Sequence, residues 1–228
     1  MIFSPKNKAI QDMNIKIGSE CLSRVKETKF LGVILDQRLS WSPHILNIKS
    51  KVAKTIGILH KARQTLGRRY LISLYNTLIL PYFTYCKIIW GGSNDTTLRP
   101  ILQLQKKAVR CICNLSKYSS TSSYFKQIGI LKLKELHKYA NLIFMYNFKK
   151  RSLPNIFDDY FKYNHEIHRY ATRQSHNFHV PKYKSNLSKC FIRYNGAITW
   201  NEYENKIPSN VSISTFKKNI KRLFIQNY

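Results

Sequence analysis

Acidic residues are scarce in this sequence, which has 11 Asp and Glu against 39 Lys and Arg and a formal net charge of +28. The scarcity is greatest between Gln37 and Asn94, where no acidic residue occurs. Basic residues continue through that segment, at Arg38, Lys49, Lys51, Lys54, Lys61, Arg63, Arg68, Arg69 and Lys87. Acidic residues normally alternate with lysines on a solvated helix face, so their absence favours a surface that faces a polyanion over a merely solvated one.

Glycine and proline are few, at 8 and 7 residues, and no apolar run reaches the roughly 18 to 20 residues of a membrane-spanning helix. The longest candidate, 78–90, is interrupted by Pro81, Thr84 and Lys87, and the first residues lack the apolar stretch of a secretory signal. A hydrophobic content of 43% is enough for a packed core. These features predict a folded, intracellular protein of one large or two small domains, with no membrane partner.

Cysteine and histidine offer little for a metal site or a disulfide framework. The cysteines are odd in number and contain no Cys-x-x-Cys pair; they are Cys21, Cys86, Cys111, Cys113 and Cys190. Two pairs, His165 with His168 and His176 with His179, have a spacing that one helix face could use to bind zinc. The segment is rich in His, Asn and Tyr, so close pairs are expected from composition, and we predict no metal site in this chain.

The first part of the chain has the pattern of short strands. Ile15 and Ile17 alternate with polar residues, Gly18 and Ser19 suit a turn, and 22–25 would return as a strand. Residues 29–35 predict a further, more apolar strand.

Helical patterns dominate the remainder. Ser42 suits an N-cap and Pro43 a first helical position, before apolar residues spaced three and four apart at Ile45, Ile48, Val52, Ile56 and Leu59. Further helices are predicted over 71–78, ended or kinked by Pro81, and over 98–115, 132–148 and 215–226, whereas 152–194 has no clear period. The predicted fold class is α+β, mainly α.

Several short motifs follow one another in a characteristic order. They are 29–36, Leu39-Ser40-Trp41, His44-Ile45, Leu80-Pro81-Tyr82, Ile89-Trp90-Gly91, Leu153-Pro154, 168–173, Trp200-Asn201 and Ile207-Pro208. Their order resembles the region from the end of the palm to the carboxyl terminus of reverse transcriptases from non-LTR retrotransposons, particularly jockey-like LINE elements. The resemblance implies a palm remnant at 1–38, a helical thumb with its following helices at 39–150, and a basic, partly irregular carboxyl-terminal module at 151–228.

The same resemblance implies a function and its residues. The chain would be an amino-terminally truncated piece of an RNA-directed DNA polymerase that acts as a ribonucleoprotein in nucleus and cytoplasm, with RNA and DNA as partners in a template–primer duplex. Phe30, Leu31 and Gly32 resemble a primer grip, although a core strand with a glycine bulge is the alternative, and Phe30 and Val33 suit a core under both interpretations. Phosphate contacts from the thumb would come from Lys49, Lys51, Lys54, Lys61, Arg63, Arg68, Arg69, Lys106, Lys107 and Arg110.

Catalysis is not expected from this chain. The parent polymerase would need Mg²⁺, held by palm carboxylates that the family places before the Phe30-Leu31-Gly32 strand. Phe157-Asp158-Asp159-Tyr160 imitates the family's aromatic-x-Asp-Asp motif without its intervening residue, and is predicted to be a loop or a helix start. A free-standing, domesticated nucleic-acid-binding protein and a decayed reading frame are the alternatives.

One further choice concerns the last helix. Phe216, Ile220, Leu223 and Phe224 form an apolar stripe, backed by lysines and an arginine. The stripe either docks on the protein's own core, which we favour, or lies on an anionic membrane.

Overall fold

A computed structural model describes residues 1–4, 14–168, 170 and 172–228. Near its start, four short strands form two antiparallel hairpins: β1 (Lys16–Ile17) with β2 (Glu20–Cys21), and β3 (Glu27–Phe30) with β4 (Val33–Asp36). The turn predicted at Gly18 and Ser19 is confirmed, but the returning strand is Glu20–Cys21 and not 22–25.

The single strand predicted over 29–35 is wrong, because the chain reverses within it. Phe30 faces Val33 across a two-residue turn in which Leu31 has φ 44° and Gly32 has φ 82°. Both central residues of a type I′ turn have positive φ, and this turn matches the twist of the strands it joins. A leucine at the first of these positions disguises the turn in an otherwise apolar sequence.

Helices follow, and they confirm the mainly α, α+β class. The α-helices are α1 (Ser42–Ala62), α2 (Arg68–Leu74), α3 (Leu80–Thr84), α4 (Lys87–Trp90), α5 (Asp95–Ile112), α6 (Ser122–Ile128), α7 (Leu133–Lys149), α8 (Asn164–Ile167), α9 (Ile192–Tyr203) and α10 (Ile213–Gln226). Single turns of 3₁₀-helix lie at Asn155–Phe157, Ser188–Cys190 and Glu204–Lys206.

A buried carboxylate organises the connection from β4 to α1. Asp36 accepts backbone hydrogen bonds from the N–H groups of Arg38, Ser40 and Trp41, at 3.2, 3.1 and 3.0 Å. Trp41 adopts φ 63° and precedes the helix, so the N-cap predicted at Ser42 is wrong by one position and has no side-chain hydrogen bond. The predicted apolar stripe from Ile45 to Leu59 is buried.

Pro81 shapes the next helical segment, as predicted. A π-helical turn, Tyr75–Ile79, joins α2 to α3, and the N–H of Leu80 donates to the carbonyl of Tyr75. Proline lacks an amide hydrogen and its ring collides with the carbonyl four residues earlier, so a widened turn accommodates it. The wider turn buries Tyr75 and Ile79 and leaves Leu78 exposed.

The core joins two helical groups, with α1 packed against α5 and α7 packed against α9 and α10. Phe216 of α10 stacks on Tyr146, with 4.4 Å between ring centroids, and lies 6.0 Å from the ring of Trp200. Past α10, the hydroxyl of Tyr228 accepts a 2.8 Å hydrogen bond from the backbone N–H of Lys132. These contacts confirm the docked interpretation of the last helix, while the three-part division at residues 38 and 150 stays a prediction.

Candidate nucleic-acid interface

The outer face of α1 carries three of the predicted phosphate-binding lysines. Lys51, Lys54 and Lys61 are exposed, on the side of the helix away from the buried stripe. Lys51 also lies over the ring of Tyr82, 5.9 Å from its centroid, which connects α1 to α3. Lys49 is exposed on the other flank of the helix. One helix therefore presents a row of cations to solvent.

A second group of cations lies where the carboxyl-terminal ends of α1 and α5 meet. Burial raises the pKa of the Cys111 thiol, and the positive charge of nearby Arg63 opposes this shift. Arg110 donates from Nε to the carbonyl of Ser119 at 3.0 Å. On the outer side of α5, Lys106 is half-buried and Lys107 is exposed.

Arg68 has a structural contact as well as an exposed position. Its Nη2 atom donates to Oε1 of Gln127 at 2.9 Å and to Sγ of Cys113 at 3.4 Å, which ties the start of α2 to α6 and to the end of α5. Arg69 beside it is exposed. Of this arginine pair, Arg69 is thus the better candidate for a phosphate contact.

The hairpin tip predicted as a primer grip projects into solvent. Phe30 is 63% exposed and Leu31 is 75% exposed, so the prediction that Phe30 is a core residue is wrong, whereas Val33 is buried. The hydroxyl of Tyr85 donates to the carbonyl of Leu31 at 2.6 Å. A Cβ atom on Gly32 would lie 3.3 Å from Cε1 of Tyr85, so the turn packs closely on that ring. The tip is an exposed apolar turn that packs against Tyr85.

Carboxylates are kept away from these basic residues. The ion pairs within the described residues are Lys134 with Asp95, Lys138 with Glu202, and Lys149 with Glu204. In the part of the chain that the structure describes, none of the ten predicted phosphate-binding residues has a carboxylate partner. The charges of the exposed members of this set, above all the lysines of α1, are available to an external anion.

Lys87 differs from the other cations of the acid-free segment, because it is only 2% exposed. Its Nζ atom lies 3.8 Å from the ring centroid of Trp90. Burial lowers the pKa of Lys87 to about 7. The inclusion of Lys87 in a surface that faces a polyanion is therefore wrong, and the neighbouring Ile88, Ile89 and Trp90 were the sequence signal for its burial.

Two histidines pack against α4, His137 at Lys87 and His44 at Trp90. The ring of His137 is held by a 3.3 Å hydrogen bond between Nδ1 and the Lys87 carbonyl. Its pKa is lowered to about 4, mainly by burial and secondly by the positive charge of Lys87. His44 accepts at Nδ1 from the N–H of Ile34 at 3.3 Å and packs edge-on against Trp90. The two histidines connect the hairpin, α1, α4 and α7 through the core.

The four candidate metal ligands pair between two segments of the chain, and not within one helix. The ring of His165 lies 6.1 Å from that of His176, and the ring of His168 lies 6.3 Å from that of His179, between centroids. Because α8 is a single turn that ends before His168, His165 and His168 do not share a helix face, and the spacing does not produce the one-face geometry that zinc binding would use.

The described residues also hold no fitting site for Mg²⁺. They contain no group of three or more His, Cys, Asp or Glu side chains arranged to bind a metal ion. Asp158 and Asp159 are exposed and follow the 3₁₀ turn Asn155–Phe157, as predicted for a loop. Among the helices of the described ranges, none has both the length and the apolar character needed to span a bilayer.

Comparison with known proteins found similarity to polymerases of mobile elements. The chain is 27% identical over 118 residues to a probable RNA-directed DNA polymerase from transposon X-element of Drosophila melanogaster, a match to 50% of this chain and 13% of that protein. It is 28% identical over 152 residues to the RNA-directed DNA polymerase from mobile element jockey of Drosophila funebris, a match to 64% of this chain and 16% of that protein. No family model and no solved structure matches. The resemblance inferred from the order of motifs is thus confirmed: the chain is a relative of the RNA-directed DNA polymerases of jockey-like, non-LTR retrotransposons.

Proposed function

We propose that this chain grips a template–primer duplex, with the exposed lysines of α1 along the phosphate backbone and the β3–β4 hairpin tip at the end of the primer. The observation that carries the proposal is the row of exposed cations on α1 with no carboxylate partner among the described residues. Such contacts neutralise phosphates without sensing the base sequence. The similarity to RNA-directed DNA polymerases supports RNA and DNA as the polyanions.

Salt dependence tests the backbone contact. Affinity for an RNA–DNA duplex should fall steeply as salt rises, because each neutralised phosphate releases counterions. Replacing Lys51, Lys54 and Lys61 together by Gln should reduce the slope of log affinity against log salt by about two to three. The matched control replaces three exposed lysines of α10, Lys217, Lys218 and Lys221, by Gln. It removes the same number of positive charges as the α1 variant.

The control separates a local contact from a general effect of net charge. A reduced slope in the α1 variant alone supports the proposal. An unchanged slope, or an equal reduction in both variants, contradicts it.

Substrate shape tests the hairpin tip. Because Phe30 and Leu31 are exposed on a fixed turn, replacing both by Ala should leave the fold intact. The variant should lose affinity for a duplex with a recessed 3′ end and keep its affinity for a blunt duplex. Equal affinity losses on both substrates would contradict a role at the primer end and favour a general nucleic-acid-binding protein.

A further inference from the structure

A small cavity with a basic lining lies in the carboxyl-terminal part of the chain, away from α1 and the hairpin tip. Its volume is about 50 Å³, and three of the lining side chains are cationic or become so on protonation: Lys162, His179 and Arg193. Phe161, Ile167 and Pro181 contribute apolar walls. A cavity needs about 10 to 15 Å³ to hold one water-sized group, so this one has room for about three to five, comparable with the four oxygens of a phosphate.

The fold brings the basic residues together from three separate segments. His179 donates its backbone N–H to the carbonyl of Lys162 at 2.8 Å, next to an antiparallel bridge between Tyr163 and Phe178. Arg193 arrives from the first turn of α9.

A buried aromatic scaffold fixes this arrangement. The side chain of Asn201, on α9, accepts from the N–H of Phe178 at 2.9 Å and donates to its carbonyl at 2.8 Å. Phe178 is buried and stacks on Tyr163, with 4.5 Å between ring centroids. The backbone beside His179 is thereby clamped to the helix that carries Arg193.

No carboxylate neutralises the cavity. Within the described residues, Lys162, His179 and Arg193 have no acidic partner, and Arg193 instead packs over the ring of Tyr160 at 5.6 Å. Glu166, on α8, does not line the cavity, and its Oε2 atom accepts a 2.6 Å hydrogen bond from the N–H of Tyr163.

We propose that this cavity binds a phosphate group. An arginine offers a fork of donors that matches phosphate oxygens, lysine adds a point charge, and an imidazole donates one more hydrogen bond. The phosphate comes either from a nucleic-acid backbone or from a phosphomonoester, and only the first source rests on the proposed function.

The test uses the full chain with ¹³C-labelled histidine side chains, titrated with inorganic phosphate. The His179 resonance, assigned with a His179→Asn variant, should shift saturably. Replacing Lys162 and Arg193 together by Gln should weaken this binding roughly tenfold or more, since charge-assisted hydrogen bonds are lost. The matched control replaces Lys182 and Lys184, two exposed lysines that do not line the cavity.

A saturable shift in the wild-type chain and the control, weakened in the cavity variant, supports the proposal. Absence of a saturable shift, or equal weakening in both double variants, overturns it. If the double cavity variant does not fold, Lys162→Gln alone serves the same comparison, because Lys162 is exposed and its loss should still weaken binding several-fold.

Two duplexes then identify the source of the phosphate. Perturbation of His179 by a duplex with 5′-hydroxyl ends assigns the site to the backbone, whereas perturbation only by 5′-phosphorylated ends assigns it to a phosphomonoester. The α1 lysine variant keeps this test independent of the proposed function. The α1 variant can change the salt dependence of duplex binding while phosphate binding at His179 persists. Conversely, the cavity variant can lose phosphate binding while the contribution of the α1 lysines to the salt dependence persists.

Discussion

The hydroxyl of Tyr85 donates a hydrogen bond to the carbonyl of Leu31, so a residue just past α3 holds the tip of the β3–β4 hairpin. The same ring lies against Gly32, which makes Tyr85 the support on which the turn rests. A two-stranded ribbon is marginally stable by itself in water, so the hairpin depends on contacts such as this one and on the packing of β4 against α1.

Removing the hydroxyl should loosen the tip without disturbing the core. We expect Tyr85→Phe to cost about 1 kcal/mol, a fall in Tm of roughly 2 to 4 °C, and to accelerate amide exchange at Gly32 and Val33. Tyr118→Phe, at a residue that is 88% exposed, is the control and should change neither measurement. Unchanged exchange rates in the Tyr85 variant would show that the hydrogen bond does not hold the turn.

Two glycines allow the ring contact to be separated from backbone strain. Gly32→Ala and Gly18→Ala both place an alanine at positive φ, but only at position 32 does the new methyl group meet a neighbour, 3.3 Å away on Tyr85. Gly32→Ala should therefore lower the free energy of unfolding by more than the roughly 1 kcal/mol expected from positive φ alone. Equal losses in the two variants, measured by chemical denaturation, would exclude a contribution from the ring.

Burial of Lys87 predicts a specific pH dependence. The pKa of Lys87 falls from 10.5 to about 7 on folding, so between these values the unfolded chain binds more protons and stability rises with pH. Lys87→Met removes the buried charge at similar volume. Its Tm should exceed that of the wild type at pH 6, with the difference closing as pH approaches 10. Lys54→Met, at an exposed lysine, is the control, and a Lys87→Met difference that is constant with pH would contradict the prediction.

Docking of α10 is testable through a single ring. Phe216 is buried against Tyr146 and Trp200, so Phe216→Ala should cost about 3 to 5 kcal/mol and lower Tm by roughly 6 to 20 °C. Lys217→Ala, at the exposed neighbouring position, should leave Tm within a degree or two. An unchanged Tm in the Phe216 variant, together with loss of sedimentation with anionic vesicles, would favour the membrane interpretation instead.

Helical period was the most informative pattern in the sequence. It identified α1 and α10, whose apolar residues recur at regular intervals and are buried together. It did not identify α6, which has only seven residues, or α9, where Asn195, Gly196 and Thr199 interrupt the apolar pattern. In α9 it is packing that selects the helix, since Gly196 allows Ile192 and Met145 to approach closely.

The number of basic residues in a segment was less informative, because it does not show which of them lie on the surface. It predicted the exposed lysines of α1, but it placed Lys87 beside them, because counting cations does not tell which side of a short helix faces the core. The cavity at Lys162, His179 and Arg193 was beyond sequence analysis for another reason: its residues come from three segments that tertiary hydrogen bonds to Asn201 bring together.

The hydrogen bond between Tyr228 and Lys132 joins two residues that are synthesised at different times. The two residues lie 96 positions apart, and the N–H that Tyr228 satisfies belongs to the N-cap residue immediately before α7. At a synthesis rate of 5 to 20 residues per second, roughly 5 to 20 s separate the appearance of the two partners on a ribosome. Until α10 and Tyr228 emerge, the apolar surface of α7 that they cover stays exposed to solvent. During this interval the nascent chain offers chaperones an apolar binding surface.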